Sequence, residues 1–162
     1  SFTFDKNKLD LEGSKGFSVD ITDSNAVSSL VNEVNPDVVI HTVSLKGTDI
    51  YETNKELADR INIGGTKNIL NACKSANPFF VYISSAFVFD GSKKMFTEED
   101  TPNPINYYGR SKLDSEHLVK NSGLPYIIAR VDQLYGWTLP GQADNTVTKN
   151  LKKMEKEGGL AD

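Results

Sequence analysis

Four short runs rich in β-branched and aromatic residues alternate with helix-patterned stretches along the chain. They are Phe17-Ser18-Val19-Asp20, Asp37-Val38-Val39-Ile40-His41-Thr42-Val43, Phe79-Phe80-Val81-Tyr82-Ile83-Ser84 and Pro125-Tyr126-Ile127-Ile128-Ala129-Arg130-Val131. Alternation of this kind predicts an α/β fold, a parallel sheet flanked by helices, because each crossover helix returns the chain to the same end of the sheet. The run at 37–43 is nearly all apolar, as expected of a strand buried on both faces. Thr22-Asp23-Ser24 supplies N-cap chemistry for a helix over Asn25 to Asn35, with Val27, Leu30, Val31 and Val34 on one face and Pro36 ending it. A helix from about Glu52 to Ser75 carries Leu57, Ile61, Ile69 and Leu70 inward, and a long loop follows from Ala86 to Asn106. Two further helices are expected over about Tyr107 to Lys120 and Asn145 to Glu157.

In parallel α/β sheets, ligands bind beyond the carboxyl ends of the strands. Asp20, Thr42 to Ser44, Ser84-Ser85 and Val131 all fall at such ends. Beyond Ser84-Ser85 comes Tyr108-Gly109-Arg110-Ser111-Lys112, placed in the first turn of a helix by the Pro102-Asn103-Pro104 segment before it. Tyr and Lys at i and i+4 share a helix face, so the ammonium can favour the phenolate. A strand-end hydroxyl beside such a pair can polarise a carbonyl and pass it a proton. The spacing recurs at Tyr51-Glu52-Thr53-Asn54-Lys55, which has no strand-end serine pair upstream and is expected to be silent.

Other candidates are weighed against plainer roles. Asp20 either starts the Asp20 to Ser24 turn, the favoured reading, or contacts the adenine of a dinucleotide. His41 reads as a hydrogen-bonded histidine near the crevice, since no Cys or His partner has metal spacing and no metal is expected. Asn62 and Gly64-Gly65-Thr66 interrupt a helix pattern, and glycine there costs about 1 kcal/mol, so close approach of backbone or ligand is inferred.

A net charge of -4 gives no reason to expect nucleic acid or an anionic membrane as partner. The single cysteine, Cys73, lies in an amphipathic helix pattern, reads as inert packing and fits a reducing cytoplasm. No apolar run reaches the roughly 18 residues that span a bilayer. The chain starts at Ser1 without an initiator methionine, and the reading at this stage is of a domain cut at both ends.

Together these residues resemble the extended short-chain dehydrogenase/reductase superfamily. Val19 to Asp23, Pro36 to His41, Asn62-Ile63-Gly64-Gly65-Thr66-Lys67-Asn68 and Ile83-Ser84-Ser85 carry that likeness. Val88-Phe89-Asp90-Gly91 and the stretch from Glu98 to Leu113 are more specific, and resemble the dTDP-4-dehydrorhamnose reductases. The resemblance implies a Rossmann-like doubly wound parallel sheet over residues 1–162, incomplete at both ends. It implies a first strand and glycine-rich loop upstream of residue 1, an absent C-terminal substrate lobe, and a gap in the sheet beside the Val38 to Val43 strand.

By position, the resemblance makes Ser85 the holder of the substrate carbonyl oxygen, Tyr108 the proton donor, and Lys112 the ligand of nicotinamide ribose. NADP or NAD is the implied cofactor. Asp20 and Ile21 are set near adenine, Thr42, Val43 and Ser44 along the cofactor, Asn62 at the strand ends and Val131 at the last strand end. Asp5 faces the ribose hydroxyls, which favours NAD, while Lys6 and Lys8 suit a 2′-phosphate. The chain departs from the reductases at Ser85-Ala86, where they usually have Thr-Asp, and at Thr42-Val43-Ser44, where they have an alanine-rich run. The implied activity is reduction of the 4-keto group of a nucleotide-linked deoxysugar in the cytoplasm, by an enzyme that a homodimer would suit. The alternatives are a nucleotide-sugar epimerase or dehydratase of the same superfamily, or a non-catalytic regulatory subunit like that of methionine adenosyltransferase.

Overall fold

The structure is a computed structural model and describes residues 2–3, 13–132, 134 and 146–156. The chain divides into two units, residues 1–130 and 131–162. In the first, β1 (Phe2–Thr3) pairs in parallel with β2 (Phe17–Ser18). A separate sheet has the order β3 (Val38–His41), β4 (Phe79–Ser85), β5 (Tyr126–Val131). β3 and β4 are parallel, with Val38 opposite Phe79 and His41 opposite Tyr82. Among the described residues β3 stands at one end of this sheet's order.

α1 (Ser24–Val34) starts because the Asp23 carboxylate accepts from the Asn25 and Ala26 amides, both at 3.0 Å. It stops at Asn35, whose left-handed φ of 43° ends the winding before Pro36. The single helix expected from Glu52 to Ser75 is instead divided. α2 (Asp49–Thr53) ends at Asn54, whose extended φ of −143° breaks the ladder and whose side chain caps α3 (Lys55–Ala58) through the Leu57 amide at 3.0 Å. A π-helical turn, Asp59–Gly64, then leads into α4 (Gly65–Cys73). Gly65 permits that start, since a Cβ there would lie 2.3 Å from Ile21 Cδ1.

One core joins these elements. Val27 and Val31 of α1, Val39 of β3, Ile61, Ile69, Leu70 and Cys73 of the helical run, and Phe80 and Tyr82 of β4 pack together with Val119. Burial pushes the Cys73 thiol up to about 11, which fits inert packing. β3 departs from the expectation of burial on both faces. Val38 and Ile40 are 53% and 63% exposed, because the helices contributing to the core all meet the Val39 and His41 face.

α5 (Tyr107–Lys120) is fixed to the sheet by a buried carboxylate. Glu116 is fully buried, accepts from Ser84 Oγ at 2.6 Å, and is gripped by Arg130 of β5 through Nε at 3.0 Å and Nη2 at 2.8 Å. Burial alone would raise this carboxyl, but the Arg130 and Ser84 hydrogen bonds outweigh it and hold it below the usual carboxylate range. The guanidinium also lies 4.9 Å from the Phe89 ring, which stacks on Phe96 at 4.4 Å, so the loop after β4 is tied to the same group.

In the second unit, α6 (Thr146–Lys156) exposes Lys149, Lys152 and Lys153. Among the described residues no helix is long and apolar enough to cross a membrane, and no cluster of His, Cys, Asp or Glu could hold a metal.

Removing Glu116 strands a half-buried guanidinium and a buried serine. Glu116→Ala is expected to cost about 3–5 kcal/mol in urea unfolding. Lys120→Ala, which deletes only the exposed partner at 3.9 Å, should cost less than about 1 kcal/mol. Equal losses would show that Arg130 and Ser84 are not what Glu116 serves.

Candidate active site

Successive residues of a strand face opposite ways, and the two serines ending β4 divide accordingly. Ser84 turns toward α5 and is spent on Glu116. Ser85 opens a 3-10 turn, Ala86–Val88, and its Oγ accepts the Phe87 amide at 3.2 Å. A hydroxyl used as an acceptor keeps its own proton to donate.

α5 begins against that turn. Asn106 caps it by accepting from the Gly109 amide at 2.8 Å, and the Glu52 carboxylate accepts from the Tyr107 amide at 2.7 Å. Tyr107 donates its hydroxyl to the Asp59 carboxylate, at 2.9 and 2.8 Å from its two oxygens. Gly109 cannot carry a side chain, because a Cβ would lie 2.0 Å from the Phe87 carbonyl oxygen. This contact brings Tyr108 beside the turn that holds Ser85. The Tyr108 ring meets Phe87 edge-on at 5.7 Å and Tyr51 at 5.0 Å.

Lys112, one turn on, is only 4% exposed. Its ammonium donates to the Ile83 carbonyl at 3.0 Å and lies 5.3 Å from the Tyr82 ring centroid and 5.9 Å from that of Tyr108. Burial pulls this amine down to about 8. The structure thus brings Ser85, Tyr108 and Lys112 into one cluster around β4's carboxyl end.

The competing pair separates in space. Lys55 lies over the Tyr107 ring at 5.0 Å, while the Tyr51 hydroxyl donates to the Leu45 carbonyl at 2.8 Å and accepts from Asn62 Nδ2 at 3.0 Å. Burial raises the Tyr51 phenol. The Tyr51 ring is fully buried and flanks Tyr108, apart from Lys55.

Asn62 is the junction beneath the cluster. Its Oδ1 accepts from the Leu45 amide at 2.9 Å, and its Nδ2 also reaches Ser111 Oγ at 3.0 Å. Its carbonyl accepts from Thr66 and from Ser115. Because the Thr66 hydroxyl donates there, it accepts from His41, whose Nε2 is 2.9 Å away and carries the proton. His41 Nδ1 is buried and has no hydrogen-bond partner among the described residues. Burial, then the charge of Lys112, lowers His41 to about 3, so the ring stays neutral.

The remaining expected residues fall in several places. Thr42 is exposed, Val43 and Ser44 are half-buried in the loop after β3, and Ser44 hydrogen-bonds Tyr51. Asp20 Oδ1 accepts from the Thr22 amide and hydroxyl, both at 2.8 Å, which is the turn role favoured above. Ile21 is fully buried, its side chain packed in the core against Gly65 of α4. Val131 closes β5, and Asp5 lies outside the described residues. Sequence reasoning missed Glu116 and Phe87. A glutamate one turn beyond Lys112, with an arginine inside an apolar strand, was the available signal for the first; nothing in the spacing marked the second.

A strand-end hydroxyl clustered with a Tyr–Lys pair on a parallel α/β sheet defines a member of the extended short-chain dehydrogenase/reductases. Within that class, the chain belongs to the RmlD substrate binding domain family, which matches residues 3–161. It is 36% identical over 118 residues to methionine adenosyltransferase 2 subunit beta of Rattus norvegicus, covering 73% of this chain and 35% of that protein. It is 37% identical over 119 residues to the probable low-salt glycan biosynthesis reductase Agl14 of Haloferax volcanii, covering 73% of this chain and 40% of that one. The structure is similar to the dTDP-4-dehydrorhamnose reductase of Bacillus anthracis, solved in complex with NADP, with a TM-score of 0.79 and 30% identity over 90% of this chain and 52% of that one. The chain therefore spans between a third and about half of the length of these relatives.

His41 gives the site a pH signature. Its folded value of about 3 lies below the ordinary 6.5, so its contribution to stability is full above pH 6.5 and is lost as pH falls towards 3. Between pH 7 and pH 5 the loss should be about 2 kcal/mol by urea unfolding. His41→Gln is expected to lack that slope whatever its absolute stability. A slope that survives the substitution assigns the titration elsewhere.

Proposed function

We propose that the protein of which this chain is part reduces the 4-keto group of a nucleotide-linked deoxysugar with NADPH or NADH. The observation that carries this reading is the buried Lys112 ammonium, bonded to Ile83 beside the Tyr108 ring and next to the strand end that carries Ser85. A buried amine with one N–H on a carbonyl has two left for ribose hydroxyls, and Thr42, Val43 and Ser44 flank the neighbouring strand end. These groups fit a nicotinamide dinucleotide, which when bound supplies the hydride that the carbonyl carbon takes up.

This chain's own residues handle the oxygen. Ser85, oriented by the Phe87 amide, donates a hydrogen bond to the carbonyl oxygen and polarises it while keeping its own proton. Tyr108 passes its phenolic proton to that oxygen as negative charge develops there. Lys112 steadies the phenolate left behind, and burial strengthens the attraction because the local dielectric is low. The likeness to enzymes named as dTDP-4-dehydrorhamnose reductases supports this substrate class over epimerase or dehydratase chemistry.

A second reading rests on the 36% identity to methionine adenosyltransferase 2 subunit beta, namely a regulatory subunit that uses the same fold to bind an enzyme. The two differ in what Tyr108→Phe does. Under the reductase reading it lowers NADPH oxidation with dTDP-4-dehydrorhamnose by on the order of 10²- to 10⁴-fold while leaving thermal stability in place. Absence of turnover by the unsubstituted intact protein, together with tight binding to a methionine adenosyltransferase catalytic subunit, would favour the second.

Lys112→Met tests the electrostatic role. With the ammonium beside the Tyr108 ring gone, the maximal rate is expected to fall on the order of 10²-fold or more. A rate within about twofold of the unsubstituted protein removes Lys112 from that role. Ser85→Ala should lower the rate with less effect on cofactor binding, and a larger catalytic loss in Ser84→Ala would transfer the carbonyl-holding role to Ser84.

A further inference from the structure

We propose that Phe87 is a positioning residue that holds the carbonyl-binding hydroxyl and the proton-donating phenol in fixed relation, an inference that rests on the reduction reading above. Three parts of this one residue act on three parts of the site. Its amide donates to Ser85 Oγ at 3.2 Å, orienting that hydroxyl and leaving its proton for a carbonyl. Its carbonyl oxygen sets how closely α5 approaches, being 2.0 Å from where a Cβ on Gly109 would stand. Its ring meets the Tyr108 ring edge-on at 5.7 Å and 74°.

The other side of Tyr108 is closed by Tyr51, at 5.0 Å and 78°. Tyr51 is itself immobilised through Leu45 and Asn62. The reactive ring therefore has one buried, hydrogen-bonded wall and one wall supplied by Phe87. Edge-to-face pairs contribute about 0.5–1.5 kcal/mol beyond area burial, enough to select one ring orientation over its neighbours. Phe87 is 46% exposed, so core packing does not account for an aromatic side chain in this turn. Its neighbour Val88 is the residue of the turn that enters the core. A small residue at 87 would keep both backbone contacts and lose only the wall against Tyr108.

Phe87→Ala and Phe87→Tyr in the intact protein separate positioning from packing, because the ring is half in solvent and its loss leaves the core intact. With dTDP-4-dehydrorhamnose and NADPH, Phe87→Ala is expected to lower kcat on the order of 10- to 100-fold with the KM for NADPH within about twofold, and Phe87→Tyr to restore it. In ring-labelled tyrosine NMR spectra, with the Tyr108 signals identified by their loss in Tyr108→Phe, Phe87→Ala should shift and average them. A kcat within about twofold of the unsubstituted protein, or a loss that Phe87→Tyr does not restore, overturns the proposal. Should the unsubstituted protein fail to turn over this substrate, the reduction reading falls by itself. The spectra then decide the role of Phe87: Tyr108 signals unchanged in Phe87→Ala overturn it, and displaced signals restored by Phe87→Tyr uphold it.

Discussion

The side chain of Asn62 hydrogen-bonds polar groups from three elements at one buried point. The loop after β3 offers the Leu45 amide, α2 offers the Tyr51 hydroxyl, and α5 offers Ser111. Stranding a buried polar group costs on the order of 1–3 kcal/mol, so the amide holds the strand-end loop and α5 in register at once. The π-helical turn that carries Asn62 is part of this arrangement. Its wider winding departs from the α-helix on either side, a geometry proteins use mostly at functional sites. His41 and Thr66 extend the same network back to β3.

Two opposite charges stand one turn apart on the buried face of α5, and their circumstances differ. Glu116 is neutralised by a bidentate guanidinium and a serine. Lys112 is given a backbone carbonyl and two aromatic rings, and among the described residues no carboxylate. A structural ion pair explains the first. The second is a charge kept in the interior at a cost, which is the pattern of a group retained for chemistry. His41, neutral and close enough to feel Lys112, adds no second charge to that interior.

Much of this was legible in the chain. Apolar runs separated by helix patterns give the parallel sheet, because crossover geometry leaves few other folds. The helix over Tyr107 to Lys120 keeps its expected bounds because the upstream prolines and the Asn106 cap fix its start. Choosing Tyr108 over Tyr51 depended on the serines at a strand end, a context that one-dimensional spacing does not carry. The break at Asn54 and the π-turn were hidden, since hydrophobic period is the same on both sides of them. The packing of Ile21 against Gly65 was hidden as well, because the two lie more than forty residues apart in the chain. The exposed face of β3 was missed for a related reason: a run of Val and Ile records what a strand can bury, and not whether a helix lies over it.

The contact between Gly109 and the Phe87 carbonyl makes the turn after β4 and the first turn of α5 a single mechanical part. Ser84 reaching Glu116 closes the same part from its far end. The strand end, the turn and the helix that carry Ser85, Tyr108 and Lys112 then form one continuous stretch of chain, braced from outside by Tyr51, Asn62 and Arg130. Such a stretch is a natural unit of exchange. It can be grafted between relatives as a cassette, with substrate choice left to whatever surrounds it, provided the recipient offers an arginine where Arg130 stands and an amide where Asn62 does.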